Sequence, residues 1–152
     1  MTDDKVSAAE NEQINFGVLD CLLGYKLRRA QMVFFDSFSA ACSDLGISPG
    51  LFGVLVVVKE NPGLTQTAVA KALGNDRSAM VAVVDRLESM ELIERRPSKK
   101  DRRSYALYMT PHGNTFFNGL LERVRAHEDE LCQYLESGEK KQLLDMLDRF
   151  PR

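Results

Sequence analysis

Apolar residues recur every three or four positions along most of the chain, which is the spacing of one helix face. This pattern predicts a long helix from Ile14 to Leu45, ended by Gly46. It also predicts two later helices over 114–135 and 138–150, the last with Ser137 as its N-cap. In the first helix, apolar side chains occupy more than one side, so more than one side must be buried. Packing against a partner subunit is the simplest way to bury the additional apolar side.

The middle of the chain predicts two shorter helices joined by a tight turn. Thr65 can cap the first helix by accepting a backbone N–H, and Gly74 ends it because glycine enters the left-handed region without a Cβ penalty. Asp76 is the expected N-cap of the second helix, over 77–90. The inward stripe of that second helix consists of apolar residues at helical spacing: Met80, Val83, Val84, Leu87 and Met90. The arrangement is that of a helix-turn-helix.

The outer face of this second helix suits contact with DNA. It carries Arg77, Ser78, Val81, Ala82, Asp85 and Arg86. Its first turns are small and polar or basic, and a helix-turn-helix places this end of its second helix against base edges. An arginine there could bind guanine, and small apolar side chains could contact thymine methyl groups. An ordinary amphipathic surface helix has the same pattern, so this helix alone leaves the function open.

A basic hairpin is predicted directly after the helix-turn-helix, with its return strand over 104–109. Of the nine residues 95–103, six are basic and one is acidic, in a chain whose net charge is −2. Clustered arginine and lysine on a protruding loop suit phosphates and the electronegative minor groove. A solvated charge run is the alternative, but the position after a helix-turn-helix favours DNA binding.

These residues closely resemble the MarR family of bacterial winged-helix transcription regulators. The wing signature of that family is D-x-R, followed by an apolar strand that ends in L-T-x-x-G. Here residues 101–103 are Asp-Arg-Arg, residues 110–113 are Thr-Pro-His-Gly, and Met109 stands where Leu is usual. The helix pattern D-R-S followed by V-D-R-L is matched within residues 76–87. The resemblance covers residues 20–125.

The resemblance implies a mainly α (α+β) fold for one domain, residues 1–152. A winged helix-turn-helix with a two-stranded wing would occupy residues 48–113, flanked by dimerisation helices over 14–46 and 114–150. The implied partner is double-stranded DNA with a pseudo-palindromic operator, bound by a homodimer that is most often a repressor. Dimerisation has an independent physical reason, because one winged helix binds a half-site weakly and a twofold dimer contacts two half-sites about one DNA turn apart.

The family also implies roles for individual residues. Arg103 resembles the wing arginine that enters the minor groove, and Asp101 resembles the acid that orients its basic neighbours. Val81 and Ala82 stand where many relatives carry hydroxyls or arginine, which favours base contacts through apolar groups and Arg77. The full predicted DNA-binding set is Thr65, Gln66, Arg77, Ser78, Val81, Ala82, Arg86, Lys99, Lys100, Arg102 and Arg103.

The segment 51–58 is almost entirely apolar, and taken alone it is consistent with a buried strand. Ser48 and Pro49 supply an N-cap and a first-turn proline before it, and residues 60–63 supply a stop. These signals, together with the helix length usual in the family, favour a helix.

Family members are usually released from DNA by a small molecule or by oxidation. An effector pocket between the dimer helices and the DNA-binding region could be lined by Tyr25, Arg28, Arg29, Met32, Phe52 and Val56. The arginines could bind the carboxylate or phosphate of an aromatic acid or its CoA thioester. Surface salt bridges and core packing are the alternative roles for these residues.

A thiol sensor is the second possibility for a switch. Cys21 precedes Tyr25 by one helical turn, as in the peroxide-sensing branch of the family. The adjacent Asp20 carboxylate disfavours a thiolate, and Phe34 and Phe35 stand where that branch has a second tyrosine. We therefore expect Cys21 to pack as a small hydrophobe and keep peroxide sensing as the alternative.

Composition narrows the function classes further. The chain is 44% hydrophobic and 28% charged, which is typical of a soluble globular protein, and no run approaches the roughly 20 apolar residues of a membrane span. Residues 1–13 are acidic and polar, so we expect them to fray and expect no secretion signal. We interpret the protein as cytoplasmic.

Catalysis or metal binding would require sequence motifs of its own. No nucleophile elbow, phosphate loop or Ser-His-Asp order is found, so we expect no enzyme and no cofactor. The three cysteines have no CxxC spacing and both histidines stand alone, so we expect no metal site. A winged helix that binds only protein is a third possibility. The six basic residues at the wing argue against it, because contact with another protein does not require such a concentration of positive charge.

Overall fold

The computed structural model describes residues 14–99 and 103–151, so the predicted fraying of residues 1–13 lies outside it. The chain divides into two compact units, residues 1–32 and 33–152. The first unit contains a 3-10 helix, Gly17–Cys21, and the beginning of helix α1, Leu23–Cys42. Among the described residues, no single helix is long and apolar enough to cross a membrane.

The second unit contains the rest of the described structure. After the end of α1 and a 3-10 turn, its elements follow in the order α2 (Pro49–Glu60), α3 (Gln66–Leu73), α4 (Arg77–Ser89), β1 (Ile93–Pro97), β2 (Tyr105–Met109), α5 (Pro111–Cys132) and α6 (Glu139–Leu147). The two strands pair antiparallel, with Ile93 opposite Met109 and Pro97 opposite Tyr105. This confirms the predicted mainly α fold with a two-stranded wing.

The predicted continuous helix from Ile14 to Leu45 is wrong. The helix α1 begins only at Leu23, and the flanking turns 17–21 and 43–45 are 3-10 helices. Gly17 has a φ of +55°, and its N–H donates to Asn15 Oδ1 at 2.8 Å. This local side-chain bond offers the backbone an alternative to the helical ladder. Leu22 is extended, so the helix starts after it.

The caps of α2, α3 and α4 confirm the sequence prediction. The side chains of Ser48, Thr65 and Asp76 accept the backbone N–H three residues later, at 3.3, 3.2 and 2.8 Å. Each such cap contributes about 1 kcal/mol to its helix. The segment 51–58 is helical, and it is central to the core because Val54, Leu55 and Val58 have no exposed surface.

The last two helices differ from their predicted bounds. The helix α5 begins at Pro111 rather than Asn114, because the hydroxyl of Thr110 accepts the N–H of Gly113 at 2.8 Å and so caps the helix earlier. It ends at Cys132 rather than Leu135. The helix α6 ends at Leu147 rather than Phe150, and its N-cap is Gly138, with a φ of +87°, instead of Ser137. The left-handed backbone there suits glycine and moves the cap by one residue.

Candidate DNA-binding interface

The buried face of α4 determines which of its residues are exposed on the opposite face. Met80, Val84 and Leu87 have no exposed surface and fix the helix against the core. The polar and small residues of the other face, Arg77, Ser78, Val81, Ala82 and Asp85, are all exposed. Exposure of an apolar side chain such as Val81, at 43%, is consistent with a contact surface.

A shallow cavity of about 160 Å³ lies where α3 meets the beginning of α4. Gln66, Thr67 and Ala70 line it from α3, and Arg77 and Val81 line it from α4. The predicted DNA-binding residues Gln66, Arg77 and Val81 are therefore brought together. The Thr65 hydroxyl is instead occupied as the cap of α3.

The wing is attached to the helix-turn-helix by backbone hydrogen bonds. The N–H of Gly63 donates to the carbonyl of Leu107, and the N–H of Leu107 donates to the carbonyl of Leu64, both at 2.9 Å. A bridge also pairs Thr65 with Ala106. The strand β2 thus pairs with the segment that precedes α3, and this pairing fixes the base of the wing.

Arg95 connects three elements, a role that the sequence did not reveal. Its guanidinium donates to Gln66 Oε1 of α3 at 3.3 Å and forms ion pairs with Asp85 and Glu88 of α4. Partial burial acts against the charged form, but the hydrogen bonds to Asp85 and Glu88 outweigh it and raise the pKa of Arg95. The Arg95 side chain therefore links the wing to both helices of the helix-turn-helix.

Ion pairs within the protein offset the positive charge of two wing arginines. Arg95 is paired as described, and Arg96 pairs with Glu94 and lies over the ring of Tyr108, 4.4 Å from its centroid. Within the described part of the wing, Arg95 and Arg96 are thus engaged by acids of the protein itself. Lys99 and Arg103 are exposed nearer the tip of the wing.

The remaining predicted wing residues, Lys100, Asp101 and Arg102, lie outside the described residues. On α4, Arg86 is exposed, and its guanidinium lies 3.3 Å from the position that a β-carbon on Gly46 would occupy. This nitrogen therefore lies beside the turn after α1. The DNA contact of Arg86 stays a prediction.

Replacing Arg95 with alanine should lower the free energy of unfolding by about 1–2 kcal/mol. Hydrogen bonds to charged groups contribute about 1.5–3 kcal/mol, and exposure of Asp85 and Glu88 reduces this amount. Urea unfolding followed by circular dichroism measures the change. Arg96→Ala is the matched control in the same strand. Its ion pair with Glu94 is exposed and its contact with the Tyr108 ring contributes about 0.5–1 kcal/mol, so it should cost less than Arg95→Ala, and equal costs would contradict the role of Arg95.

The predicted effector residues fall into the two units of the chain. In the first unit, the Arg29 guanidinium lies 3.5 Å from the Tyr25 hydroxyl and 5.9 Å from the centroid of the Phe16 ring. Arg28 and Met32 are exposed there. Cys21, the last residue of the 3-10 helix, is exposed as well, so the prediction that it packs as a small buried hydrophobe is wrong.

In the second unit, Phe52 and Val56 line a groove against α5. The buried His127 also borders this region, although the sequence gave it no role. Its position on the inward stripe of α5, seven residues after Leu120 and three after Val124, is the signal that could have shown its burial.

The fold and the exposed α4 face define a winged helix-turn-helix DNA-binding protein. The MarR family is matched over residues 45–104. A putative transcriptional regulatory protein for the hcr operon of Thauera aromatica is 39% identical over 131 residues, which cover 86% of this chain and 79% of that protein. The chain belongs to the MarR family, and it is a transcriptional regulator rather than an enzyme.

Two solved structures of the transcriptional repressor CouR are similar over most of the chain. The one bound to a 23-mer DNA duplex has 36% sequence identity and a TM-score of 0.85, and it matches 90% of this chain and 96% of that one. The one bound to p-coumaroyl-CoA has 34% identity and a TM-score of 0.81, with the same coverage.

Proposed function

We propose that this protein is a homodimeric repressor that binds a pseudo-palindromic operator and is released by a small aromatic acid or its CoA thioester. The observation that carries the DNA-binding part is the exposed face of α4, held beside a wing whose base is fixed by Arg95. A helix presented in this way enters the major groove while the wing follows the phosphates. Such a regulator would act in the cytoplasm, where bacterial DNA lies.

Exposed apolar side chains support the homodimer. On and after α6, Leu143, Leu144, Met146, Leu147 and Phe150 are between 38% and 53% exposed. In the first unit, Ile14, Val18, Leu22 and Leu23 are between 48% and 72% exposed. Large apolar side chains exposed together on one segment are typical of protein interfaces. Both segments belong to the regions predicted as dimerisation helices.

The effector class rests on similarity and on the groove beside α5. The repressor CouR has been solved with p-coumaroyl-CoA, an aromatic acyl thioester. In this chain, Phe52 and Val56 line a groove of about 530 Å³, which is within the range of small-molecule sites. The Phe52 ring in its wall and the cations Arg125 and Lys140 in its lining suit an aryl group with an anionic tail.

Operator binding should weaken steeply with salt. We would titrate a fluorescent duplex from the region upstream of the protein's own gene and follow anisotropy. Four phosphate contacts would lower affinity roughly a hundredfold between 50 and 200 mM salt, since the logarithmic slope is about −0.9 per contact. A flat response, or equal binding to a scrambled duplex, would argue against sequence-specific DNA binding.

The same complex tests the effector. Aromatic acids, their CoA thioesters and CoA alone are added to the complex in turn. We expect either the acids or the thioesters to release the DNA and CoA alone to leave it bound. An organic hydroperoxide is the third arm, because Cys21 is exposed and a thiol sensor must be accessible. Release by peroxide in the wild type but not in Cys21→Ser would favour the thiol-sensing alternative over the ligand.

A further inference from the structure

A groove in the second unit joins two adjacent cavities of about 200 and 530 Å³. The two cavities share Phe52 of α2 and Val124 and Glu128 of α5. The smaller cavity is lined mainly by aromatic residues, and the larger cavity is lined on one side by charged residues of α5 and α6. The groove therefore has chemically different ends.

The aromatic end is built from rings in mutual contact. The rings of Phe34 and Phe38 meet the imidazole of His127 nearly edge-on, with centroids 6.3 and 5.8 Å apart. Phe52 lies 5.9 Å from Phe38 and stacks with Phe117 at 6.1 Å. Aromatic walls of this geometry favour a further planar ring between or beside them.

His127 is an unusual member of this aromatic cluster. It is only 7% exposed, and its Nε2 is buried without a hydrogen-bond partner among the described residues. An unsatisfied buried polar atom destabilises the structure that contains it, and most buried polar side-chain atoms have a partner. The neighbouring phenylalanine side chains have no group that could form a hydrogen bond with Nε2. A bound molecule with a hydroxyl group would satisfy Nε2 in either tautomer, because a hydroxyl both donates and accepts.

The charged end carries two cations, Arg125 and Lys140, and two acids, Glu128 and Asp129, both of which lie within ion-pair distance of Lys140. Lys140 Nζ lies 2.6 Å from Glu128 Oε1, and this hydrogen bond raises the pKa of Lys140. Arg125 lines the same cavity, is exposed, and forms no ion pair within residues 14–99 and 103–151. Phosphate oxygens are a natural partner for such a guanidinium. An aryl head and a phosphorylated tail would match the two ends.

We infer that this groove binds a CoA thioester of a hydroxylated aromatic acid, with His127 selecting the ring hydroxyl and Arg125 contacting the phosphates. This inference rests on the proposed function and gives it a specificity-determining residue. Because Nε2 is buried, a neighbouring side chain must move for the hydroxyl to reach it, and Phe34, which is 37% exposed and packs against the imidazole, is the partly exposed ring in contact with it.

The test compares two ligands that differ only by the hydroxyl group. Isothermal titration of the full-length protein with 4-hydroxycinnamoyl-CoA and cinnamoyl-CoA should show at least about tenfold tighter binding of the hydroxylated thioester, because the other leaves Nε2 unpaired. His127→Phe keeps a ring against Phe34 and Phe38 and should bind both thioesters equally. His112→Phe, at the exposed other histidine, should keep the preference.

Arg125→Ala gives an independent readout of the charged end. This variant should bind both thioesters several-fold more weakly and should keep the preference for the hydroxylated one. Equal affinity of the wild type for the two thioesters would overturn the inference, and this comparison stands even if His127→Phe folds poorly. If both thioesters then release DNA equally, the proposed function survives without the inference. If neither thioester binds, the inference fails together with the thioester part of the proposed function.

Discussion

Replacing Gly113 with alanine is expected to lower the free energy of unfolding by about 3 kcal/mol or more. Gly113 is buried at the third position of α5, where the helix passes the beginning of the wing. A β-carbon at this position would lie 1.9 Å from the carbonyl oxygen of Leu92 and 2.7 Å from its carbonyl carbon. Backbone atoms cannot move aside as a flexible side chain can.

The expected loss is larger than the gain from helix propensity. Alanine in a helix is favoured over glycine by about 1 kcal/mol, which would stabilise α5 if space were available. Here the overlap must be relieved by displacing α5 from β1. That displacement stretches the hydrogen bond from the Thr110 N–H to the Leu92 carbonyl, now 3.0 Å, and disturbs the cap that starts the helix.

Thermal and urea unfolding, at matched protein concentration, measure this change. Gly119→Ala is the control in the same helix. Gly119 is exposed and a β-carbon there meets nothing within 4 Å, so this variant should be as stable as the wild type or more stable by up to about 1 kcal/mol. Similar stabilities of the two variants would show that α5 and the wing are not packed as closely as described.

Replacing Arg103 with alanine is expected to weaken operator binding tenfold or more while the fold is retained. Arg103 is exposed at the wing, and its role as the arginine that enters the minor groove is a prediction from the family resemblance. Loss of one such arginine contact costs about 1–3 kcal/mol, and a homodimer would lose two. Anisotropy titration at fixed salt gives the dissociation constant, and circular dichroism verifies the fold.

The control for Arg103→Ala must remove a positive charge elsewhere. Lys141→Ala is suitable, because Lys141 lies on α6 and its side chain is 81% exposed. It should change operator affinity less than twofold, since a distant exposed charge is screened beyond roughly 10 Å. If both variants weaken binding equally, net charge rather than the wing contact is responsible. An unchanged affinity of Arg103→Ala would remove its assigned role.

Much of the winged helix follows from local chemistry in the sequence. Ser48, Thr65 and Asp76 were recognisable as caps because a short polar side chain before an apolar periodic segment satisfies a backbone N–H that the helix leaves open. Gly74 was recognisable as a stop, and it has a φ of +67°. These interactions join residues within a few positions of each other, so the sequence determines them.

Errors of the sequence prediction occur where two local preferences compete. Periodicity favoured a continuous helix from Ile14, but the Asn15 side chain and the positive φ of Gly17 favour a turn. At Thr110, the predicted start of α5 missed a threonine that both caps the helix and donates its hydroxyl to the Glu91 carbonyl at 2.6 Å. Spacing alone cannot tell which interaction is stronger.

The sequence by itself determined the class of the fold, the helix-turn-helix and the wing, because periodicity and caps depend on neighbouring residues. Only the tertiary structure decided which charges remain available to DNA and which polar groups are buried. Arg95 is removed from the wing's charge by Asp85 and Glu88, and His127 is enclosed by Phe34 and Phe38. Each of these contacts joins elements whose mutual approach is fixed by packing, so no spacing along the chain encodes it.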